Sequence, residues 1–207
     1  MRSLMMLAIA GGSGSGKTTV AIRLSERLKE HCALLSMDSY YVDLPPGINP
    51  GDFNFDAPSA FDFTLLKKDL MELKASRPIR IPSYSFITYR REPGLFTEMK
   101  PSSIVIVEGI LVLYDPELRK LFDFSIYVET QDDERLLRRI ERDMVERQRS
   151  IESIIRQYRR FVAPAYRSFV EPQKHYADII LPSGGYNEPG MEIIYNALVQ
   201  KMRQSRE

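Results

Sequence analysis

Apolar residues along the chain follow two kinds of pattern. Five short stretches are almost continuously apolar: 4–10, 33–37, 104–108, 124–128 and 177–181. A half-exposed strand alternates apolar with polar, whereas a strand without alternation is covered on both faces, as in a parallel sheet between helices. Helical spacing occupies the segments at about 16–31, 63–75, 131–147, 151–170 and 190–204. In the first of these, Val20, Leu24 and Leu28 recur at i, i+4 and i+8 and share one face. Strand alternating with helix predicts a doubly wound α/β fold, a five-stranded parallel sheet flanked by helices. Residues 40–60 and 77–103 break the alternation with proline, glycine and aromatics, among them Tyr40, Tyr41, Pro45, Pro46, Phe53, Phe55, Pro82, Tyr84, Phe86, Tyr89 and Pro93. They read as long functional loops or a short hairpin lobe.

Composition narrows this picture. With 207 residues, 43% of them hydrophobic and 28% charged, the chain suits one domain with its own core. Cys32 is the single cysteine, so no internal disulfide forms and a reducing compartment is expected. His31 and His175 are the only histidines, too few with Cys32 for a zinc site of the Cys/His kind. The N-terminus imitates a secretory signal, with Arg2 ahead of Leu4-Met5-Met6-Leu7-Ala8-Ile9-Ala10, but the run is short and leads into glycines. No stretch approaches the roughly 20 apolar residues of a membrane span. A soluble, cytoplasmic protein is expected. Its 29 Lys+Arg against 28 Asp+Glu give a net charge of +1, which argues against a protein that coats nucleic acid unless its arginines cluster.

The clearest chemical signal is Gly11-Gly12-Ser13-Gly14-Ser15-Gly16-Lys17-Thr18-Thr19, between the first expected strand and the first expected helix. This is the setting of a phosphate loop: backbone N–H groups curl around phosphate oxygens, a helix N-terminus adds positive potential and Lys17 reaches the terminal phosphates. Thr18 offers a hydroxyl to Mg²⁺. Asp38 follows the second strand, at the strand edge where ligands of open α/β sheets bind. There it is either the base that takes a proton from an attacking hydroxyl or a cap of the next turn. Glu108 ends the strand at 104–107 and is a candidate to orient Mg²⁺ and its water, or an exposed acid after a buried strand.

Residues 132–160 hold nine arginines, at 135, 138, 139, 142, 147, 149, 156, 159 and 160, interleaved with Asp132, Asp133, Glu134, Glu141, Asp143, Glu146 and Glu152. Several are expected to form solvated i,i+4 ion pairs. A nucleic-acid arm would carry fewer acids. With a phosphate loop upstream, Arg139, Arg142, Arg147 and Arg149 are better read as a lid that closes on a nucleotide.

Taken together, these motifs resemble the uridine/cytidine kinases, within the phosphate-loop small-molecule kinases that include phosphoribulokinases and pantothenate kinases. Besides the glycine loop, the resemblance rests on Met37-Asp38-Ser39-Tyr40-Tyr41, Asn54-Phe55-Asp56-x-Pro58-x-Ala60-Phe61-Asp62 and Pro82-x-Tyr84-x-Phe86. It continues through Glu108-Gly109-Ile110-Leu111, Arg138-Arg139-Ile140-x-Arg142-Asp143, Gln157-Tyr158, Glu171-Pro172 and Tyr176-Ala177-Asp178, over residues 6–195. It implies a single phosphate-loop kinase domain over 1–207, with a substrate lobe at about 40–103 and an arginine-rich lid at about 131–165.

The implied activity is transfer of the γ-phosphoryl of ATP, with Mg²⁺, to the 5′-hydroxyl of cytidine or uridine in pyrimidine salvage. Asp38 is then the base, Lys17, Arg139 and Arg147 face the ATP phosphates, and Thr18, Glu108 and Asp38 are the oxygen donors toward Mg²⁺. Asp56 and Arg142 hold the ribose hydroxyls, Tyr41, Phe55, Tyr84 and Phe86 wall the base pocket, and Arg149 and Gln157 lie near the nucleoside. A homotetramer is implied as well, without nucleic-acid or membrane partners. Three positions depart from the family pattern: Tyr89 stands where histidine is common, Gln148 where glycine is, and Ser183 where arginine precedes Gly184-Gly185. A tyrosine hydroxyl donates or accepts, so Tyr89 is expected to shift preference toward cytidine. A relative acting on another small alcohol, or a nucleotide-binding regulatory module without activity, are the alternative readings.

Overall fold

A computed structural model describes residues 4–204. Arg2, the basic residue ahead of the first apolar run, lies outside them. The strands in chain order are β1 Met5–Gly11, β2 Cys32–Ser36, β3 Ile79–Ser85, β4 Arg90–Met99, β5 Ile104–Gly109, β6 Phe124–Glu129 and β7 Ile179–Pro182. Five of them form one parallel sheet in the order β2-β5-β1-β6-β7. β3 and β4 form a separate antiparallel hairpin, so residues 77–103 are a hairpin lobe rather than an open loop.

The apolar runs became strands because both faces of the sheet are covered. Met6, Ala8, Ala10, Val105, Val107 and Tyr127 pack into one core, while Leu7, Ile9, Ile104, Ile106, Ile126 and Val128 pack into the other. Period-two side chains on a doubly covered sheet give that split. The second core is closed by Val20, Ala21, Leu24 and Leu28 of α1 (Lys17–Leu28) and, from the last helix of the chain, by Met191, Ile194 and Leu198. The first is closed by Leu66, Leu70 and Leu73 of α2 (Phe63–Lys74), the hairpin residues Ile79 and Ile81, and Tyr166 and Val170.

A short helix that the spacing did not suggest, α3 (Pro116–Arg119), starts where the Asp115 carboxylate accepts from the N–H groups of Glu117 and Leu118. α4 spans Asp132–Val145 and α5 Ile151–Gln157. The helix expected at 151–170 is longer and irregular. It widens into π turns at Tyr158–Val162 and Tyr166–Val170 on either side of α6 (Ala163–Ala165), then tightens until Tyr176. Pro164 has no N–H to give to the ladder, which accounts for the irregularity around it. The last helix, α7, spans Glu188–Gln204. No helix among the described residues is long and apolar enough to cross a membrane.

Candidate active site

The turn from β1 into α1 is built from backbone. Gly14 has φ +79, a left-handed conformation costly to a residue with a side chain, and a Cβ there would lie 2.4 Å from the Arg135 carbonyl oxygen. The loop is therefore packed against the first turn of α4. Thr130 Oγ1 donates to the Ser15 carbonyl at 2.9 Å, and Arg135, itself buried, stacks its guanidinium 3.7 Å from the Tyr166 ring centroid and donates to the Thr130 carbonyl and Asp132. α1 then presents Lys17 and Thr18 at its open N-terminal turn.

Glu108 arrives at the same place from the end of β5, and it is buried. Thr18 Oγ1 donates to Glu108 Oε2 at 3.2 Å, Ser36 Oγ donates to Oε1 at 2.7 Å, and Lys17 Nζ stands 4.0 Å from Oε2. Burial pushes the Glu108 carboxyl above the usual carboxylate range; the Lys17 ammonium opposes this and Asp38 adds to it. A hydroxyl and a buried carboxylate oxygen meeting beside the phosphate loop are hard oxygen donors, the chemistry that suits Mg²⁺ completed by phosphates and water. Of the two readings of Glu108, the exposed acid is the one the burial removes.

Asp38 lies in the turn after β2. Ser36 caps that turn, its Oγ accepting from the Asp38 N–H at 3.3 Å, so the cap reading of Asp38 passes to Ser36. Gly109 lets the turn approach β5: a Cβ there would meet Met37 Cβ at 2.4 Å. The close approach brings Asp38 beside Glu108.

Asp38 opens onto a cleft lined by Ser13, Tyr41, Phe55, Asp56, Phe86, Tyr89, Ile110, Arg139, Arg142, Arg147, Arg149 and Gln157. This joins the phosphate loop, through Ser13, to the expected aromatic and ribose-binding residues. Asp56 is held by an Asx turn, with Asn54 Oδ1 accepting its N–H at 3.1 Å. Tyr41 makes an edge contact with Phe55 at 6.2 Å and with Phe86 at 5.7 Å, and Tyr89 lies tilted over Phe55 at 5.3 Å. Tyr89 adopts φ +56, a strained conformation for a large side chain, at the tip of the hairpin. Arg91 fastens that hairpin to the Asp38 turn by donating to the carbonyls of Tyr41 (3.0 Å) and Tyr40 (3.3 Å) and to Asp62 (3.3 Å).

Two expected positions shift. Tyr84 does not line the cleft; it stands a layer behind Tyr41 (5.2 Å) and Phe86 (5.3 Å), with its hydroxyl buried and without a hydrogen-bond partner among the described residues. Burial raises that hydroxyl to about 12. Arg147, expected toward the ATP phosphates, lies over the Phe86 ring, 4.3 Å from its centroid. The helix has ended by Val145 and Gln148 takes φ +52, so the chain turns Arg147 toward the aromatic wall. Arg138 takes the solvated role, paired with Glu134 at 2.8 Å.

Arg139 bridges the halves of the cleft. Its Nη1 donates to Ser13 Oγ at 3.1 Å and lies 3.8 Å from Asp56, and its Nη2 donates to Gln157 at 3.2 Å. Arg142 also reaches Ser13 Oγ, at 3.4 Å, and Arg149 Nη1 donates to Gln157 at 2.6 Å. Sequence reasoning missed the residue at the centre of this group. Asp143, fully buried, faces Arg139, Arg142, Arg147 and Arg149. The available signal was the i,i+4 series Arg135, Arg139, Asp143, which places charges on one face of α4.

A phosphate loop, a buried acid beside its threonine and a second acid at the neighbouring strand end describe the phosphate-loop kinases in general. Residues 6–188 match the phosphoribulokinase/uridine kinase family. The chain belongs to that family. Among curated relatives, it is 43% identical to the uridine kinase of Lactobacillus helveticus (strain DPC 4571) over 204 residues, which covers 97% of this chain and 96% of that protein. It is 40% identical over 205 residues to uridine-cytidine kinase A of Dictyostelium discoideum, covering 99% of this chain and 41% of that longer protein. Among solved structures, phosphoribulokinase from Rhodobacter spheroides superposes with a TM-score of 0.59 at 17% identity, covering 88% of this chain and 71% of that one, a likeness of fold. As a member of the family, the chain is a phosphate-loop kinase built on the parallel sheet described above.

Proposed function

We propose that the protein transfers the γ-phosphoryl group of ATP to the 5′-hydroxyl of a pyrimidine ribonucleoside. One observation carries the reading: the cleft that Asp38 opens onto is walled by aromatic rings and by a buried carboxylate–arginine group, and it is continuous with the phosphate loop through Ser13. The curated relatives named above support the same substrate class.

In this reading the backbone N–H groups of residues 12–16 and Lys17 hold the β- and γ-phosphates. Thr18 and Glu108, with Asp38 adjacent, would hold Mg²⁺, which supplies charge neutralisation at the phosphates when bound. Asp38 accepts the proton of the attacking hydroxyl, and the flanking residues fix the line of attack. Asp56 and Arg142 hold the ribose hydroxyls, and a site built around such partners discriminates against deoxy analogues that leave them unpaired. The rings of Tyr41, Phe55, Phe86 and Tyr89 sandwich the pyrimidine, with Tyr84 supporting them from behind. Arg139 stands between the two substrates, and Arg147 and Arg149 close the nucleoside side. Tyr89 directs its hydroxyl chemistry to the base edge and favours cytidine over uridine. A cytoplasmic homotetramer belongs to the same reading.

The test is ADP release with ATP and Mg²⁺ across cytidine, uridine and their 2′-deoxy forms. Ribonucleosides are expected to turn over, cytidine with the higher kcat/KM, and deoxynucleosides far more slowly. Replacing Asp38 by alanine is expected to lower kcat by roughly 10²–10⁴-fold. Silence with every nucleoside would remove the substrate class, and full activity in Asp38→Ala would remove the mechanism.

A further inference from the structure

We propose that Asp143 is a positioning residue of the site: its buried carboxylate is the shared counter-charge that spreads four guanidinium groups around the cleft. The inference rests on the kinase reading above and adds to it a residue that touches neither substrate.

Asp143 is 0% exposed and stands behind the cleft wall, whereas Arg139, Arg142, Arg147 and Arg149 are on it. Oδ1 accepts from Arg142 Nε at 3.0 Å and Nη2 at 2.8 Å, with Arg147 Nη1 at 3.6 Å. Oδ2 faces Arg139 Nε at 3.6 Å and Arg149 Nη1 at 3.5 Å. Among the described residues, only Arg142 closes a hydrogen bond on the carboxylate. Oδ2 and Arg139 Nε are both buried and both lack a hydrogen-bond partner among the described residues, although they face one another. Arg139 is held off by its bonds to Ser13 and Gln157, and Arg149 by its bonds to Gln157 and Ser153 (3.1 Å). Three of the four arginines are therefore attracted to Asp143 without a hydrogen bond to it, and Arg139 and Arg149 give N–H groups to the cleft-lining Ser13 and Gln157 instead.

Electrostatics gives the arrangement its use. Four guanidinium groups this close repel one another, and burial together with Arg142 pushes Arg147 below the usual arginine range. Burial acts to raise the Asp143 carboxyl, but Arg139, Arg142 and Arg147 outweigh it and hold the group below the usual carboxylate range. The carboxylate thus stays charged. Asp38 and Asp56 face the same cleft and Glu146 also acts on Arg142, so the acids are spread around the four guanidinium groups, and Arg142 alone among these is hydrogen-bonded to Asp143. Preorganised guanidinium groups of this kind stabilise negative charge that develops during phosphoryl transfer. Without the central carboxylate, repulsion would move the arginines apart and misplace them by an ångström or more, a displacement able to cost roughly 100-fold in rate.

The test is a double-mutant cycle between Asp143→Asn, which keeps shape and removes charge, and Arg147→Met, which removes one surplus cation. Each protein is followed by thermal unfolding and by steady-state kinetics corrected for folded fraction. Asp143→Asn is expected to lower kcat roughly 100-fold and to raise the nucleoside KM more than the ATP KM, because all four arginines line the cleft while only Arg139 and Arg142 among them touch the glycine loop, at Ser13. Adding Arg147→Met to Asp143→Asn is expected to raise Tm, and to recover part of kcat, relative to Asp143→Asn alone. A double variant no better than the single one in Tm overturns the proposal. So does a kcat in Asp143→Asn that merely follows the folded fraction with both KM values unchanged. If the wild type itself turns over no pyrimidine nucleoside, the substrate reading fails, and the Tm coupling still decides the role of Asp143. If Asp143→Asn does not fold, recovery of a cooperative transition in the double variant supports the proposal, and its absence counts against it.

Discussion

Helices α1 and α4 both begin against the phosphate loop, and they bury opposite kinds of side chain. α1 turns Val20, Ala21, Leu24 and Leu28 inward, in the ordinary way of an amphipathic helix on a sheet. α4 turns Arg135, Arg139 and Asp143 inward and leaves Leu137, Met144 and Val145 at 57%, 47% and 80% exposure. The first holds its place by apolar burial. The second is held by ion pairs, stacking on Tyr166 and bonds to the phosphate loop, which give less stability for the volume filled. The difference separates a helix that makes the fold from one whose buried side chains line or back the cleft.

The comparison breaks most visibly if stability and activity fail to separate between the two helices. Leu24→Ala deletes a fully buried side chain from α1. It is expected to cost about 2–5 kcal/mol through lost burial and the cavity left behind. Urea unfolding reads that loss, and kcat measured well below the midpoint should stay within about threefold of wild type. A large fall in kcat without loss of stability would mean that α1 also shapes the site beyond its first turn.

Arg139→Met makes the reverse prediction in α4. An apolar side chain of similar length replaces a buried guanidinium, and Asp143 keeps Arg142, Arg147 and Arg149 as partners. Stability is expected to fall by about 1–3 kcal/mol, less than Leu24→Ala can cost, because Asp56, Ser13 and Gln157 each lose a partner while Asp143 keeps three. Activity is expected to fall roughly 10²–10³-fold, the scale of losing one preorganised donor at a developing charge. Activity retained in a stable Arg139→Met protein would show that the inverted face of α4 is structural after all.

The same contrast explains what the sequence made legible. α1 and the sheet announce themselves through apolar period, and the phosphate loop through glycines whose neighbours are local in the chain. That Lys17, Thr18 and Glu108 come together was legible because each sits at a fixed place after a strand or loop. Asp143 was not, because a buried charge and a solvated one look alike in a list of residues. The acids between the arginines read as surface ion pairs, which holds for Glu134 with Arg138 and fails for Asp143. Tyr84 and Arg147 moved for a related reason: which ring faces the cleft, and where a helix ends, depend on the hairpin register and on Gln148 taking a left-handed turn. The short α3, with only four residues, carries no period to detect.

The smallest expected effect is a dependence on acid. Asp143 is held below its ordinary value of 3.8: burial acts to raise it, and Arg139, Arg142 and Arg147 more than offset this. A carboxyl whose pKa is lower in the folded than in the unfolded chain binds fewer protons when folded, so it contributes stability at pH values above the unfolded pKa. That contribution fades as pH falls below 3.8 and is gone once pH has dropped through the folded value. Other carboxylates titrate in the same range, so the measurement is a difference between wild type and Asp143→Asn, which share all of them. The stability gap between the two is expected to be constant from about pH 7 to about pH 5, then to narrow as pH falls further. α1 carries no acid on its buried face, and a Leu24→Ala protein should keep a gap to wild type that does not change with pH. A gap that narrows for Leu24→Ala and stays level for Asp143→Asn would mean that the charge buried in α4 is not what holds that helix in place.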